Sequence, residues 1–202
     1  MKPKHYAILG GGFVGGLVVG ILAGRAREKN RVRELVAAYA DRFGAPVTWS
    51  LAFADRESHF NPEARGDFDW PHRECRAGAG CYAHDVLENP IYAENPYRDE
   101  RDIWISYGVF QLLSPYQLAH AIEARLLPPD ASPEELLDLD VNLTLGVQNV
   151  LALYRETDGD FIEARLRAAG CHDCGRYEII VEHAIETAAR WSIDTSGSVH
   201  AA

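Results

Sequence analysis

The chain is short of positive charge. Its 202 residues carry 20 Lys and Arg against 30 Asp and Glu, which gives a formal net charge of −10 at pH 7. Nucleic acids attract basic surfaces, so this balance argues against a nucleic-acid partner. The sequence also lacks internal repeats and long low-complexity tracts, which argues against a repeat protein or a disordered array.

Strand patterns are scarce as well. No convincing run of alternating apolar and polar residues is present, apart from possible short strands between residues 63 and 105. A His-Glu-x-x-His site is also absent, which disfavours a zinc-dependent hydrolase. With 47% hydrophobic residues the chain can bury one core of ordinary size. We therefore predict a mainly α-helical fold that needs no cofactor.

Long apolar runs are confined to the N-terminus. Residues 6–23 are uncharged, and Lys or Arg residues stand on both sides of this run. Its length is near the short end of the roughly 17–25 residues that span a bilayer. We interpret residues 1–24 as a transmembrane or signal-anchor helix; a cleaved signal peptide and a glycine-rich buried helix are the alternatives. Glycines recur at every fourth position from Gly12 to Gly24, which favours helix–helix association in lipid.

Helical signals follow along the rest of the chain. Residues 25–45 are predicted to form a stem helix that ends at Gly44, and a second helix begins at Pro46 and stops at Asn61-Pro62. Helix caps are predicted at Ser114-Pro115, at the Ser132–Glu135 capping box, at Asp140 and at Asp160. The helix after Asp140 should turn Leu143, Val147, Val150, Leu151 and Tyr154 toward the core. The last helix, from about Arg176 to Trp191, should bury Ile179, Ile180, His183 and Ala184.

Glu57 is the candidate catalytic residue. It lies near the C-terminus of the helix that begins at Pro46, within the segment Arg-Glu-Ser-His-Phe-Asn-Pro of residues 56–62. The negative end of the helix dipole disfavours the ionised form of a carboxyl group there. Partial burial acts in the same direction. A general acid that works on a glycosidic bond has to be prepared in this way. The alternative is a solvated glutamate at the end of an amphipathic helix.

Three segments in order carry a family resemblance. Glu57-Ser58-His59-Phe60-Asn61-Pro62 is followed by Ser-Tyr-Gly-Val-Phe-Gln at residues 106–111 and by Asn-x-x-x-Gly-x-x-x-Val-Leu at residues 142–151. This order resembles the lytic transglycosylases, which cleave the glycan strands of peptidoglycan. The resemblance implies a lysozyme-like domain over residues 46–192, with an insertion at residues 63–105 and a flexible tail at residues 193–202.

The resemblance also implies a chemistry. Glu57 would act as single general acid and base at the MurNAc-GlcNAc bond and give 1,6-anhydro products. Ser58, Ser106, Tyr107 and Gln111 would contact the substrate. A goose-type-like hydrolase is the alternative enzyme, with a second carboxylate from the insertion (Asp67, Asp69, Glu74 or Asp85). A membrane-anchored binding module of the same fold, without activity, is the non-enzyme alternative.

The chain departs from the family at one motif. A Tyr-Asn-x-Gly sequence should fall at residues 167–170, but the residues there are Arg-Ala-Ala-Gly. The family's tyrosine helps to orient the catalytic carboxylate, so either Arg167 or a tyrosine elsewhere takes its place, or activity is weakened. Asn142 is expected to fix a backbone turn rather than to touch substrate. Gly108 is expected to permit a close approach of the backbone, as a strand or loop beneath a sugar would need.

The cysteines and the cell compartment leave alternatives open. Cys75, Cys81, Cys171 and Cys174 suit two disulfides of an exported domain. A four-thiolate zinc site is the rival, although the five residues between Cys75 and Cys81 exceed the usual ligand spacing, and free thiols are the third alternative. We expect a membrane-anchored protein that faces the periplasm or cell wall, or else a component of a phage virion.

Overall fold

The computed structural model describes residues 12–66, 105–114, 116–169 and 177–198, with side chains from residue 24 onward. This part of the chain is mainly helical, as the sequence predicts. Its α-helices are α1 (Gly12–Phe43), α2 (Val47–Ser58), α3 (Tyr116–Glu123), α4 (Leu139–Glu156), α5 (Phe161–Ala168) and α6 (Tyr177–Arg190). A 3-10 helix covers Pro133–Leu137, and the strands are β1 (Arg65–Gly66), β2 (Ser106–Tyr107) and β3 (Leu112–Leu113).

Helix α1 is continuous across the boundary between the predicted anchor and the predicted stem. Its residues 24–31 are all exposed, and the helix joins the core only from Val32, through a stripe that continues at Val36 and Ala40. It ends at Phe43, where Gly44 adopts a φ of 70°, which confirms the predicted stop. Among the described residues no helix combines the length and the apolar character that a bilayer crossing requires.

Backbone φ angles mark both ends of helix α2. Pro46 is its N-terminal cap with a φ of −62°, which confirms the predicted start. The helix stops at Ser58, before Asn61-Pro62, because His59 and Phe60 both take left-handed φ values of 52° and 60°. The predicted stop at Asn61-Pro62 therefore lies about one turn too late. The buried face of α2 consists of Trp49, Ser50, Ala52, Phe53 and Ala54.

A small antiparallel sheet covers the end of α2. Its strand order is β1-β2-β3, with Arg65 opposite Tyr107 and Tyr107 opposite Leu112. Of these three described strands, β1 lies within residues 63–105, where the sequence predicts short strands, and β2 and β3 follow just after. Each strand is two residues long, which is too short for an alternating pattern to show in the sequence.

The C-terminal helices confirm two predicted caps and correct a third. Ser132 and Glu135 form the expected capping box, although the turn they begin is a 3-10 helix. Asp160 caps α5 as predicted, with its side chain accepting from the backbone N–H groups of Ile162 and Glu163. The cap of α4 is Asp138 rather than Asp140, because the 3-10 helix runs directly into α4 and Asp138 closes one and opens the other.

The predicted inner faces of α4 and α6 are partly wrong. Tyr154 on α4 is 39% exposed and Ile179 on α6 is 52% exposed. His183 is exposed as well. Helix α6 packs through a narrow stripe of Ala184, Thr187 and Ala188, and Ile179 lies roughly 140° around the helix from Ala184. In the predicted flexible tail, Ile193 is half-buried against the core, and its N–H donates to Ala188 at 2.9 Å.

Candidate active site

Glu57 lies in the last turn of α2 with a partly accessible carboxylate. Its side chain is 30% exposed, which leaves room for an external molecule to reach the carboxyl group. Oε1 of Glu57 accepts a hydrogen bond of 2.7 Å from Nη1 of Arg165 on α5. Glu57 therefore stands in the structure as one half of an ion pair that joins two helices.

Arg165 is held from its other side by aromatic rings. Its guanidinium carbon lies 4.6 Å from the centre of the Phe53 ring, at the distance of a cation–π contact. Phe53 in turn meets Phe161 edge to face at 5.6 Å, and Trp49 meets Phe161 in the same way at 5.0 Å. The arginine side chain is only 11% exposed, so it is fixed between a carboxylate and an aromatic cluster.

Arg167, the residue that the sequence offered as a partner for the carboxylate, does not take that role. It is exposed, and its Nε donates to Glu163 at 2.8 Å. A second contact, at 3.9 Å, joins it to Glu156. The helical rotation between residues 165 and 167 turns the two side chains to different faces of α5. The arginine beside Glu57 is therefore Arg165, which the sequence analysis missed.

Ser58 joins the segment of Glu57 to the second motif. Its hydroxyl donates to the backbone oxygen of Val109 at 2.8 Å and lies 3.3 Å from the backbone oxygen of Ala54. The same hydroxyl accepts from the N–H of Asn61 at 3.2 Å. The hydroxyl of Ser58, next to Glu57, therefore bonds to backbone groups around the end of α2.

Asn142 joins the second motif to the third. Its side chain, 1% exposed, accepts from the N–H of Phe110 at 3.1 Å and donates to the backbone oxygens of Tyr107 and Leu136, each at 2.9 Å. Gly146, one turn along α4, has the Phe110 ring where a β-carbon would stand. The prediction that Asn142 fixes a backbone turn is confirmed. Hydrogen bonds therefore connect the first motif to the second and the second to the third.

The remaining predicted substrate contacts differ in exposure. Ser106 is 1% exposed and Tyr107 is fully buried, both within β2. Gln111 is half-buried with a φ of 48°, and its Nε2 donates to the backbone oxygen of Gly108 at 3.0 Å. Of these three, only Gln111 offers side-chain surface to an incoming molecule in this structure.

The two residues before Glu57 are also tied to the C-terminal part of the chain. Asp55 accepts from the indole Nε1 of Trp191 at 3.2 Å and contacts Arg190 at 3.3 Å and His59 at 3.4 Å. Arg56 lies 3.0 Å from Nδ1 of His183. Burial alone would raise the pKa of Asp55, but the hydrogen bonds from His59, Trp191 and Arg190 outweigh it and hold that pKa below its ordinary value.

Several predicted groups lie outside the described residues. They are the four cysteines and the four acidic residues proposed as a second carboxylate, Asp67, Asp69, Glu74 and Asp85. In the described ranges, no group of three or more His, Cys, Asp or Glu side chains is placed to hold a metal ion. The site described here therefore consists of one carboxylate, one arginine and the backbone network around them.

Comparison with known proteins adds nothing to this description. No protein-family model, no curated protein and no solved structure matches the chain. The assignment of a function therefore rests on the three motifs and on the geometry that connects them.

Proposed function

We propose that this protein is a lytic transglycosylase that cleaves peptidoglycan glycan strands at the MurNAc-GlcNAc bond. The observation that carries the proposal is the position of Glu57, a partly exposed carboxylate where three family-like segments are hydrogen-bonded to one another. A carboxyl group that works on a glycosidic bond has to reach the sugar while its backbone stays fixed. The Ser58 and Asp55 contacts supply that fixation.

The proposed reaction uses one carboxyl group twice. Glu57 gives its proton to the glycosidic oxygen as the bond from that oxygen to the anomeric carbon of MurNAc breaks. The carboxylate then takes the proton from the 6-hydroxyl of the same sugar, whose oxygen bonds to the anomeric carbon. A 1,6-anhydro ring results, no water is consumed, and Glu57 regains its proton.

To donate a proton, Glu57 needs one carboxyl oxygen that is not occupied by Arg165. While Glu57 is a carboxylate, it accepts a charge-assisted hydrogen bond from Arg165 through one oxygen. The other oxygen makes no hydrogen bond to a described residue, so it can face the substrate. A neutral carboxyl group can keep the contact to the guanidinium through its carbonyl oxygen while its hydroxyl points to the sugar.

The net charge of −10 offers no electrostatic attraction to an anionic cell wall. We therefore propose that membrane attachment through residues 6–23 holds the domain near its substrate, facing the periplasm or cell wall, or on a phage virion. Helix α1 supports this arrangement, because it runs without a break from Gly12 into the domain.

The Glu57–Arg165 pair favours one alternative. An ion pair between two helices is also a structural contact, and a module that has lost activity could keep it for that reason. In that case the protein would bind glycan or a partner without cleaving it.

The deciding experiment is mass spectrometry of fragments released from purified peptidoglycan by the full chain, by Glu57→Gln and by the control Glu123→Gln. Glu123 is exposed at the end of α3, so its variant should match the unmodified protein. Fragments lighter by one water than hydrolysis products, absent only with Glu57→Gln, are the expected result. Full-mass reducing ends would establish a hydrolase, and release that Glu57→Gln leaves unchanged would refute the assignment of Glu57.

A further inference from the structure

We propose that Arg165 is the positioning residue of Glu57: it fixes Oε1 and thereby assigns proton transfer to Oε2. The inference rests on the proposed function, since it concerns the same carboxyl group. Its basis is a contact between residues 108 positions apart that no local sequence pattern announces.

The geometry of the pair is one-sided. Nη1 of Arg165 donates to Oε1 at 2.7 Å, and among the described residues Oε2 of Glu57 has no hydrogen-bond partner. Two-point pairing would occupy both carboxylate oxygens, whereas this contact occupies one. Because the glutamate side chain is 30% exposed and has three rotatable bonds, a single strong contact decides where its free oxygen points.

Arg165 is itself fixed before any substrate arrives. Its guanidinium lies over Phe53 at 4.6 Å, and Phe53 is held edge to face by Phe161, a fully packed residue that is 1% exposed. Phe161 opens α5 directly after the cap Asp160, so the first turn of the helix carrying Arg165 is fixed as well. A positioning group has to be more rigid than the group it positions, and this arrangement meets that condition.

The positive charge of Arg165 suits the second step of the proposed reaction, in which Glu57 acts as the base. After Glu57 has given up its proton, it carries a negative charge until it takes the proton of the 6-hydroxyl. A guanidinium at hydrogen-bonding distance stabilises that charge. A lysine would supply the charge as a point but could not lie flat on the Phe53 ring while holding the oxygen.

The test measures kcat, KM and the melting temperature of the full chain for three variants, Arg165→Met, Arg165→Lys and Arg167→Met. Arg167 is the matched control because it lies on the same helix and its side chain pairs with Glu156 and Glu163 rather than with Glu57. We expect Arg165→Met to lower kcat by about 10- to 100-fold with little change in KM. The kcat of Arg165→Lys should lie between those of Arg165→Met and the unmodified protein. The kcat of Arg167→Met should equal that of the unmodified protein.

A second measurement separates positioning from general stability. In a Glu57→Gln background, Arg165→Met should change the residual rate less than twofold, because the group that Arg165 positions is already disabled. An equal loss in both backgrounds would overturn the proposal, since Arg165 would then act on something other than Glu57. If Arg165→Met does not fold, Arg165→Lys decides: a kcat equal to that of the unmodified protein at equal melting temperature overturns the assignment.

The two proposals fail in different ways. No release of fragments by the unmodified chain would remove the proposed function, and the role of Arg165 with it. Normal release by a folded Arg165→Met variant would remove only the role of Arg165 and leave Glu57 as the proposed acid.

Discussion

The side-chain amide of Asn142 occupies the space that a β-carbon at Gly108 would need. Gly108 has a φ of 74°, and an added β-carbon would overlap both the amide nitrogen and the carbon that bears it. Gly108 therefore permits a close approach, but the group that approaches it is the side chain of a buried asparagine of the third motif and not a sugar. This contact sets the position of the turn between β2 and β3, which also carries Val109, the acceptor for Ser58.

Gly108→Ala should destabilise the protein far more than Gly44→Ala. Both glycines are left-handed, with φ values of 74° and 70°, so each substitution carries the strain of an alanine there, about 1–2 kcal/mol. Only at Gly108 does the new methyl group also meet packed atoms, which adds about 1–3 kcal/mol. Urea unfolding of both variants measures the difference; equal losses would show that the turn yields to the added methyl.

Asn142→Asp should be among the most damaging isosteric substitutions in the chain. The amide nitrogen donates to the backbone oxygens of Tyr107 and Leu136, and a carboxylate would face both oxygens with negative charge. We expect a loss of about 3 kcal/mol or more in the free energy of unfolding, because a buried network loses its donors. Asn149→Asp is the control and should cost little, because Asn149 lies on the same helix, is half-buried and has no side-chain hydrogen bond to a described residue. Similar midpoints in urea for the two variants would contradict this account.

Helix starts and caps can be predicted from the sequence where they depend only on residues that are adjacent along the chain. Pro46, the apolar spacing of α2 and the caps Ser132 and Asp160 are local signals, and the structure follows each of them. The sequence predicts Asp140 as the cap of α4, whereas the structure uses Asp138, because aspartates at both positions are equally good cap residues. The choice between them depends on where the preceding 3-10 helix ends, which no local pattern specifies.

The contacts that define the site depend on distant residues. Arg165 meets Glu57 across 108 positions and Trp191 meets Asp55 across 136, and neither pair has a spacing that a helix or strand would repeat. The sequence pointed to an arginine at position 167 because a family motif aligns there, whereas the rotation of α5 brings residue 165 to the carboxylate. Side-chain direction on a helix decides such a contact, and it follows from packing of the whole domain.

The contribution of Asp55 to the free energy of unfolding should be smaller in acid than at pH 7. The pKa of Asp55 lies below its ordinary value of 3.8, so the unfolded chain takes up the proton first as the pH falls. The stabilisation from Asp55 is therefore complete above about pH 4 to 5 and is lost as the pH falls through the lower folded-state value. The melting temperature of Asp55→Asn should be below that of the unmodified protein at pH 7, and the gap should narrow toward pH 3.

The control for this comparison is Asp41→Asn. Asp41 is exposed on α1 and its side chain has no hydrogen bond in the described part of the protein, so its removal should shift the melting temperature little at either pH. A gap for Asp55→Asn that widens on acidification would mean that the contacts to Trp191 and Arg190 do not stabilise the charged carboxylate.

Ser58→Ala distinguishes a link between motifs from a contact with substrate. The hydroxyl of Ser58 donates to Val109, so its loss should cost about 0.5–1.5 kcal/mol of unfolding free energy. If Ser58 links the motifs, Ser58→Ala should lower kcat by shifting Glu57 and leave KM unchanged. If Ser58 contacts the substrate instead, Ser58→Ala should raise KM and leave the free energy of unfolding unchanged. Ser50→Ala is the matched control, because Ser50 lies on the same helix and its buried hydroxyl has no hydrogen-bond partner among the residues that the structure describes. That variant should be neutral or slightly stabilising, since it removes an unpaired polar group.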